Sequence, residues 1–189
     1  MRKIRIFEHT SLDGVIEHDK NYAYGGWTAP YRTPAGMAML LEAYGTGFDM
    51  LLGRKTYDEF LGYWPNAGDF PMANAINAAT KYVVTHRTES LGWGPVQGLD
   101  GDIVEKLRKL KSTDGPDLAL AGSISLTSVL FDAGLVDEVI LIVYPVLLGQ
   151  GKRLLSDSFD AHKFEFASSM TTPTGVMLNT YRYLGALKS

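Results

Sequence analysis

A chain of 189 residues with 46% hydrophobic and 21% charged side chains has the makeup of a globular protein and length for one domain with a sizeable core, which argues against disorder and fibrous repeats. A net charge of -3 with no clustered basic face argues against a nucleic-acid binder. The absence of cysteine removes disulfides, thiolate nucleophiles and cysteine-ligated metals, and suits a reducing, cytoplasmic setting.

Residues 2–10 alternate around Ile4 and Ile6 and read as a first strand. The chain enters this strand without the apolar stretch of a signal peptide. The longest apolar run, VILIVYPVLLG, is broken by Pro145 and too short to span a bilayer, so no membrane partner is expected. Residues 11–32 form a long irregular stretch holding three glycines and the aromatics Tyr22, Tyr24, Trp27 and Tyr31, a composition typical of a functional loop. Thr33 and Pro34 then start a helix with Met37, Leu40, Leu41 and Tyr44 as its stripe, stopped by Gly45 and Gly47.

Strand 48–52 runs into Gly53, after which Thr56 and Glu59 have the spacing of a capping box for a helix to about Tyr63. A short helix is expected over 70–79. KYVVTHR is a strand, and LGWGPVQGLDG is a loop with at most one short strand. Asp100 or Asp102 caps the helix IVEKLRKLK. PDLALAG is another strand, SISLTSVLFDAG a helix ended by Gly134, and DEVILIVYPVLLG a strand. KFEFASSM and VMLNTYRYL, joined by TTPTG, read as a hairpin. Alternating strands and helices followed by a hairpin predict an α/β class, with a mainly parallel sheet covered by helices and an antiparallel edge, in one domain over 1–189.

Gly53, Arg54, Lys55 and Thr56 are not a P-loop, because Arg54 separates the glycine from the lysine, and no dinucleotide fingerprint is present. Three strand ends nonetheless share one chemistry: Gly53 to Thr56; Thr85, His86 and Arg87; and Gly122, Ser123, Ile124 and Ser125. In a parallel sheet these ends lie on one edge, where glycine, helix amino termini and arginine suit phosphate. The plain alternative is that Thr56 and Ser123 are helix caps and Arg54, Lys55 and Arg87 solvated cations. His9, His18, His86 and His162 lack metal-ligand spacing, so no metal is expected.

The segments SLDGVI, GRKTYDEF, KYVVTHR and LAGSISLTSVLFDAGLVDEVILIVYPVLLGQGKRLL together resemble the dihydrofolate reductase superfamily. The resemblance is closest to the reductase domain of the bacterial bifunctional riboflavin-biosynthesis deaminase-reductase, here in a stand-alone version. It implies a three-layer α/β/α domain that binds NADPH along the carboxyl edge of its sheet, reduces a pterin-like or ribosylamino-pyrimidine substrate, and forms a homodimer. Carried over by position, Arg54 and Lys55 fall near the pyrophosphate or 2′-phosphate. Thr85, His86 and Arg87 fall at the adenosine 2′-phosphate, and Gly122, Ser123, Ile124 and Ser125 over the pyrophosphate.

Two departures stand out. Ser123 replaces the second glycine of a pair, and no acid precedes Glu42 in the helix that carries the pterin-gripping carboxylate of dihydrofolate reductases. Asp13 resembles the riboflavin branch and is the acid expected near the substrate, although a turn-forming aspartate before Gly14 is an equal reading. Trp27, Tyr31 and Trp64 are expected to wall the substrate site, with loop 11–32 as a lid; core or dimer-contact roles are the alternative. A ligand-binding sensor or scaffold without turnover is the competing function.

Overall fold

A computed structural model describes residues 1–17, 21–154 and 160–187. Thirteen elements follow in chain order: β1 (Ile4–Thr10), α1 (Pro34–Tyr44), β2 (Phe48–Gly53), α2 (Arg54–Leu61), α3 (Pro71–Ala78), β3 (Lys81–Val84), β4 (Val96–Leu99), α4 (Ile103–Ser112), β5 (Asp117–Ala121), α5 (Ile124–Asp132), β6 (Glu138–Val143), β7 (His162–Thr171) and β8 (Met177–Ala186). Three short 3-10 turns, Ala29–Tyr31, Trp64–Asn66 and Thr88–Ser90, lie between them. His18 and two further residues of the expected lid, 19 and 20, lie outside the described residues.

The strands form one eight-stranded sheet in the order β4-β3-β2-β5-β1-β6-β8-β7. β4 through β6 pair in parallel, and β8 runs antiparallel to both β6 and β7. Central parallel strands are buried on both faces, and β2 accordingly reads FDMLLG with only its last residue partly exposed. Alternation sends Phe7, Met50, Leu52 and Val83 into one core with Tyr44 of α1, Tyr57 of α2 and Ile76 of α3. Ile4, Ile6, Leu51, Leu118 and Leu120 enter a second core with Leu107 of α4 and Leu126 and Leu130 of α5. The result is the expected three-layer α/β/α arrangement with an antiparallel C-terminal hairpin. Among the described residues no helix is long and apolar enough to cross a membrane.

Several local expectations change. α2 begins at Arg54 with Gly53 as its N-cap and ends at Leu61, so the Thr56–Glu59 capping box does not form. Thr56 instead lies one turn into the helix with Oγ1 2.9 Å from Ser123 Oγ, and Glu59 sits 3.7 Å from Lys55 Nζ. A tertiary partner outcompetes the local cap. β3 and β6 stop at Val84 and Val143, short of expectation; two residues past β6, Pro145 has no NH for the ladder. Two expected caps form: Thr33 accepts from Gly36 N at 3.0 Å and Asp102 from Glu105 N at 3.0 Å, while Asp100 pairs with Lys106.

The amino-terminal edge of the sheet is pinned by Arg2, which is 3% exposed. Its guanidinium pairs with Asp49 on β2, donates to the Pro116 carbonyl just before β5, and reaches the Tyr82 hydroxyl of β3 at 3.4 Å. Asp49 also accepts from Thr80 N at 3.0 Å.

Candidate functional site at the carboxyl edge of the sheet

β3, β2 and β5 are consecutive parallel neighbours, so their carboxyl ends lie side by side and bring the three predicted clusters together. Gly53 N donates to Ser123 Oγ at 2.9 Å, and that same oxygen is 2.9 Å from Thr56 Oγ1. A Cβ on residue 53 would lie 2.9 Å from Ser123 Oγ, so the close approach of the β2 and β5 turns requires glycine there. On the other side of Gly53, Arg54 Nη1 donates to the Arg87 carbonyl at 3.1 Å and to Ser90 Oγ at 2.6 Å, while its Nε holds Asp58 at 2.8 Å. Thr85 Oγ1 accepts from Arg87 N at 3.0 Å and shapes that turn.

Ser123, which replaces a glycine expected from the resemblance, keeps the tight turn by entering the left-handed region itself. Gly122 has φ 62° and Ser123 φ 65°. That conformation costs a residue with a Cβ roughly 1–2 kcal/mol. The two hydrogen bonds of the Ser123 hydroxyl to the β2 turn offset it.

This use of Ser123 has a consequence for α5. Its hydroxyl does not cap the helix, and Gly53 has no side chain to cap α2, so neither amino terminus has a side-chain cap. The first-turn NH groups of two adjacent helices therefore face the same edge of the sheet, with the positive ends of their dipoles. α1 and α4 differ in being capped by Thr33 and Asp102. Beside the α2 terminus a cleft of about 310 Å³ is lined by Arg54, Val84, Thr85, His86, Arg87, Leu99 and Ile103. His86 and Arg87 are exposed at its mouth, and Lys55 points its largely exposed ammonium toward solvent. A larger concavity of about 560 Å³ near Tyr22 and Gln150 offers less to an anion, because Glu17 and Lys152 there pair with each other at 2.6 Å.

Asp13 lies past the end of β1, where its carboxylate is fully engaged. Oδ1 accepts from Ser11 Oγ at 2.6 Å and Leu148 N at 3.1 Å, and Oδ2 from Gly149 N at 2.7 Å. These bonds to the anion hold its pKa down at about 2, led by the Ser11 hydroxyl. Asp13 thus clasps the turn after β1 to the turn after β6, reinforced by Leu12 N to Val146 O and Ile16 N to Lys152 O, both 2.8 Å. Because the folded pKa lies below the ordinary 3.8, the clasp contributes above about pH 4 and is lost as pH falls toward 2. Asp13→Asn should speed amide exchange at Leu148 and Gly149 at neutral pH; unchanged protection in hydrogen-exchange mass spectrometry would contradict the clasp.

The predicted aromatic wall divides. Trp27 and Tyr31 both meet Tyr144 edge-on, at 5.1 and 5.6 Å between ring centroids. Trp27 Nε1 donates to the Glu17 carbonyl at 2.8 Å, a bond within the long loop itself. Trp64 instead packs among Phe60, Tyr63 and Phe70 between α2 and α3, and among the described residues it shares no ring neighbour with the other two.

The sequence reading overlooked the centre of that cluster. Tyr144 follows β6, and its backbone NH extends the ladder to Thr10 O at 2.8 Å. Its hydroxyl lies 2.8 Å from Nδ1 of His9, the penultimate residue of β1. Tyr144 is 5% exposed, and burial raises its pKa to about 12, so it stays protonated near neutrality. The available signal was the alternation of β1, which places His9 on the Phe7 face at the end of a central strand.

A mainly parallel sheet sandwiched by helices, with an antiparallel hairpin at one edge, is the dihydrofolate reductase-like fold. Residues 2–178 match the RibD C-terminal domain, and the chain belongs to that family. It is 31% identical over 140 residues to the uncharacterized protein YyaP of Bacillus subtilis (strain 168), covering 72% of this chain and 74% of that one. Among solved structures it is similar to a candidate riboflavin-biosynthesis protein of Shewanella sp. PV-4, with TM-score 0.73, 22% identity, and 96% and 99% of the two chains covered. It is also similar to the dihydrofolate reductase of Enterococcus faecalis in complex with NADP(H), with TM-score 0.60, 16% identity, and 96% of each chain covered. The family makes this chain an oxidoreductase of the riboflavin and pyrimidine reductase kind.

Proposed function

We propose that the protein is an NADPH-dependent reductase acting on a small planar heterocycle of the ribosylamino-pyrimidine type. The observation that carries this reading is the pair of helix amino termini without side-chain caps, α2 and α5, locked side by side through Ser123. Backbone NH groups at such termini bind a phosphate chain, and two adjacent ones suit a pyrophosphate. The neighbouring cleft with His86 and Arg87 supplies cationic donors for a further phosphate, as on the adenosine 2′-position. When bound, the dihydronicotinamide supplies hydride; the chain's own residues bind it, orient it and exclude water. Trp27 and Tyr144 are buried core rings, and Tyr31, partly buried against them, offers the apolar surface for the acceptor heterocycle.

Tryptophan-fluorescence titration tests the cofactor. Arg87→Ala should weaken NADPH by about 10- to 100-fold, the loss of one charge-assisted contact worth about 1.5–3 kcal/mol, and leave NADH nearly unchanged. Equal losses for both cofactors, or binding of neither by the unaltered protein, would count against the proposal. Arg54→Ala should weaken both, because Arg54 also holds the Arg87–Ser90 turn in place.

A further inference from the structure

Reduction of a C=N or C=O bond needs a proton as well as a hydride, and the acids near the end of β1 are poor sources. Asp13 is held as an anion by three hydrogen bonds within its own chain. Glu8 alternates to the opposite face of the sheet from His9, sharing the side of Ile4 and Ile6, and is 3% exposed. α1 offers no acid before Glu42, which is exposed near the far end of that helix.

On the Phe7 face of β1, beside the Trp27, Tyr31 and Tyr144 cluster, a pair of groups can hold and move a proton. His9 and Tyr144 sit at the carboxyl ends of neighbouring parallel strands, β1 and β6, with Nδ1 and Oη 2.8 Å apart. Tyr144 is fixed by its backbone bond to Thr10 and by the two aromatic edges against its ring. His9 is half-buried, within reach of solvent protons. An imidazole changes charge in the physiological pH range, and a phenol beside it transmits the proton without itself being ionised at rest.

From this geometry we infer that Tyr144 is the proton donor of the reduction and that His9 recharges it. The inference rests on the proposed reductase function. Hydride goes to the carbon of the acceptor double bond, whose π pair moves to the heteroatom and takes the proton from Tyr144 Oη. Imidazolium Nδ1–H of His9 returns a proton to Oη, and solvent water reprotonates His9. The dihydronicotinamide is oxidised by two electrons, the acceptor is reduced by two, and one solvent proton is consumed. Tyr144 is thus a catalytic residue, and His9 a positioning and recharging residue acting through it.

The test uses the full chain with NADPH and 5-amino-6-(5-phosphoribosylamino)uracil as acceptor probe. Tyr144→Phe should lower kcat by at least about 100-fold while leaving the NADPH Kd within about two-fold. His9→Asn keeps a hydrogen-bonding atom near the Nδ1 position but cannot change charge, and should lower kcat about ten-fold or more with KM little changed. Full activity in His9→Asn would reduce His9 to scaffolding and overturn the recharging step, and full activity in Tyr144→Phe would overturn the donor assignment. Without turnover, 13Cζ-labelled tyrosine provides a second readout: the Tyr144 resonance, identified by its loss in Tyr144→Phe, should shift when 5,6-diaminouracil is added to the NADP+ complex. No shift means that Tyr144 does not touch the heterocycle and overturns the inference. Protein that binds NADPH yet neither shifts nor reduces the probe overturns it while the cofactor reading stands; failure to bind NADPH removes that reading instead.

Discussion

Glu8→Gln is expected to stabilise the protein by about 3 kcal/mol at pH 7 and to leave it nearly unchanged at pH 4. Glu8 lies on the central strand β1 among apolar neighbours; Oε1 accepts from His9 N at 3.2 Å and Oε2 has no partner. Burial raises its pKa from 4.5 to about 8, so the folded protein carries it as the neutral acid at neutral pH. Below pH 4.5 the folded and unfolded chains both hold the proton, and the group has no pH-linked effect. Between 4.5 and about 8 only the unfolded chain releases it, so stability falls by about 1.4 kcal/mol per pH unit.

Glutamine mimics the protonated acid in shape and leaves one unpartnered polar group in place of another, which is why the two proteins should match in acid. The measurement is urea unfolding of both from pH 4 to 7.5. Parallel stability profiles would mean that Glu8 ionises inside the fold. Lys81, buried against Trp93 with its pKa lowered to about 8, acts in a separate window: its desolvation weighs on the fold below pH 8 and is relieved as pH rises toward 10.5.

Arg2→Met should lower stability by about 3–5 kcal/mol, because it strands the carboxylate of Asp49 in a site that is 8% exposed. The same change frees the Pro116 carbonyl and removes a guanidinium lying 5.3 Å from the Tyr82 ring centroid. Four strands meet at this point, since Arg2 leads into β1 and its partners belong to or border β2, β3 and β5. The double change Arg2→Met with Asp49→Asn should recover a large part of the loss, since the uncompensated charge is then gone. If the double variant is as unstable as the single one, packing of the long arginine stem, and not the ion pair, holds this edge together.

Several elements were legible in the sequence for local reasons. The 3.6-residue stripe of α5, the caps of α1 and α4, the alternating hairpin strands and the apolar runs of β2 and β6 each encode their own geometry within a few residues. The resemblance of four segments in order then pointed to the dihydrofolate reductase-like sheet that the fold contains. The Thr56–Glu59 spacing misled because a local pattern was satisfied by a distant partner: Ser123 is 67 residues from Thr56 in the chain.

Alternation, strand ends and the glycines at turns, all properties of near neighbours, determined the layered architecture and brought the phosphate-suited clusters to one edge. Only the tertiary structure decided which polar groups are free to act. It turned Asp13 into a clasp and committed Arg54 to holding a neighbouring turn. It withdrew the Ser123 hydroxyl from its helix so that the amino terminus of α5 stays open beside that of α2, and it set His9 against Tyr144 from strands that are far apart in sequence but adjacent in the sheet. Hydrogen-bond partners and desolvation are set by contacts across the sheet, and no local stretch of chain encodes them.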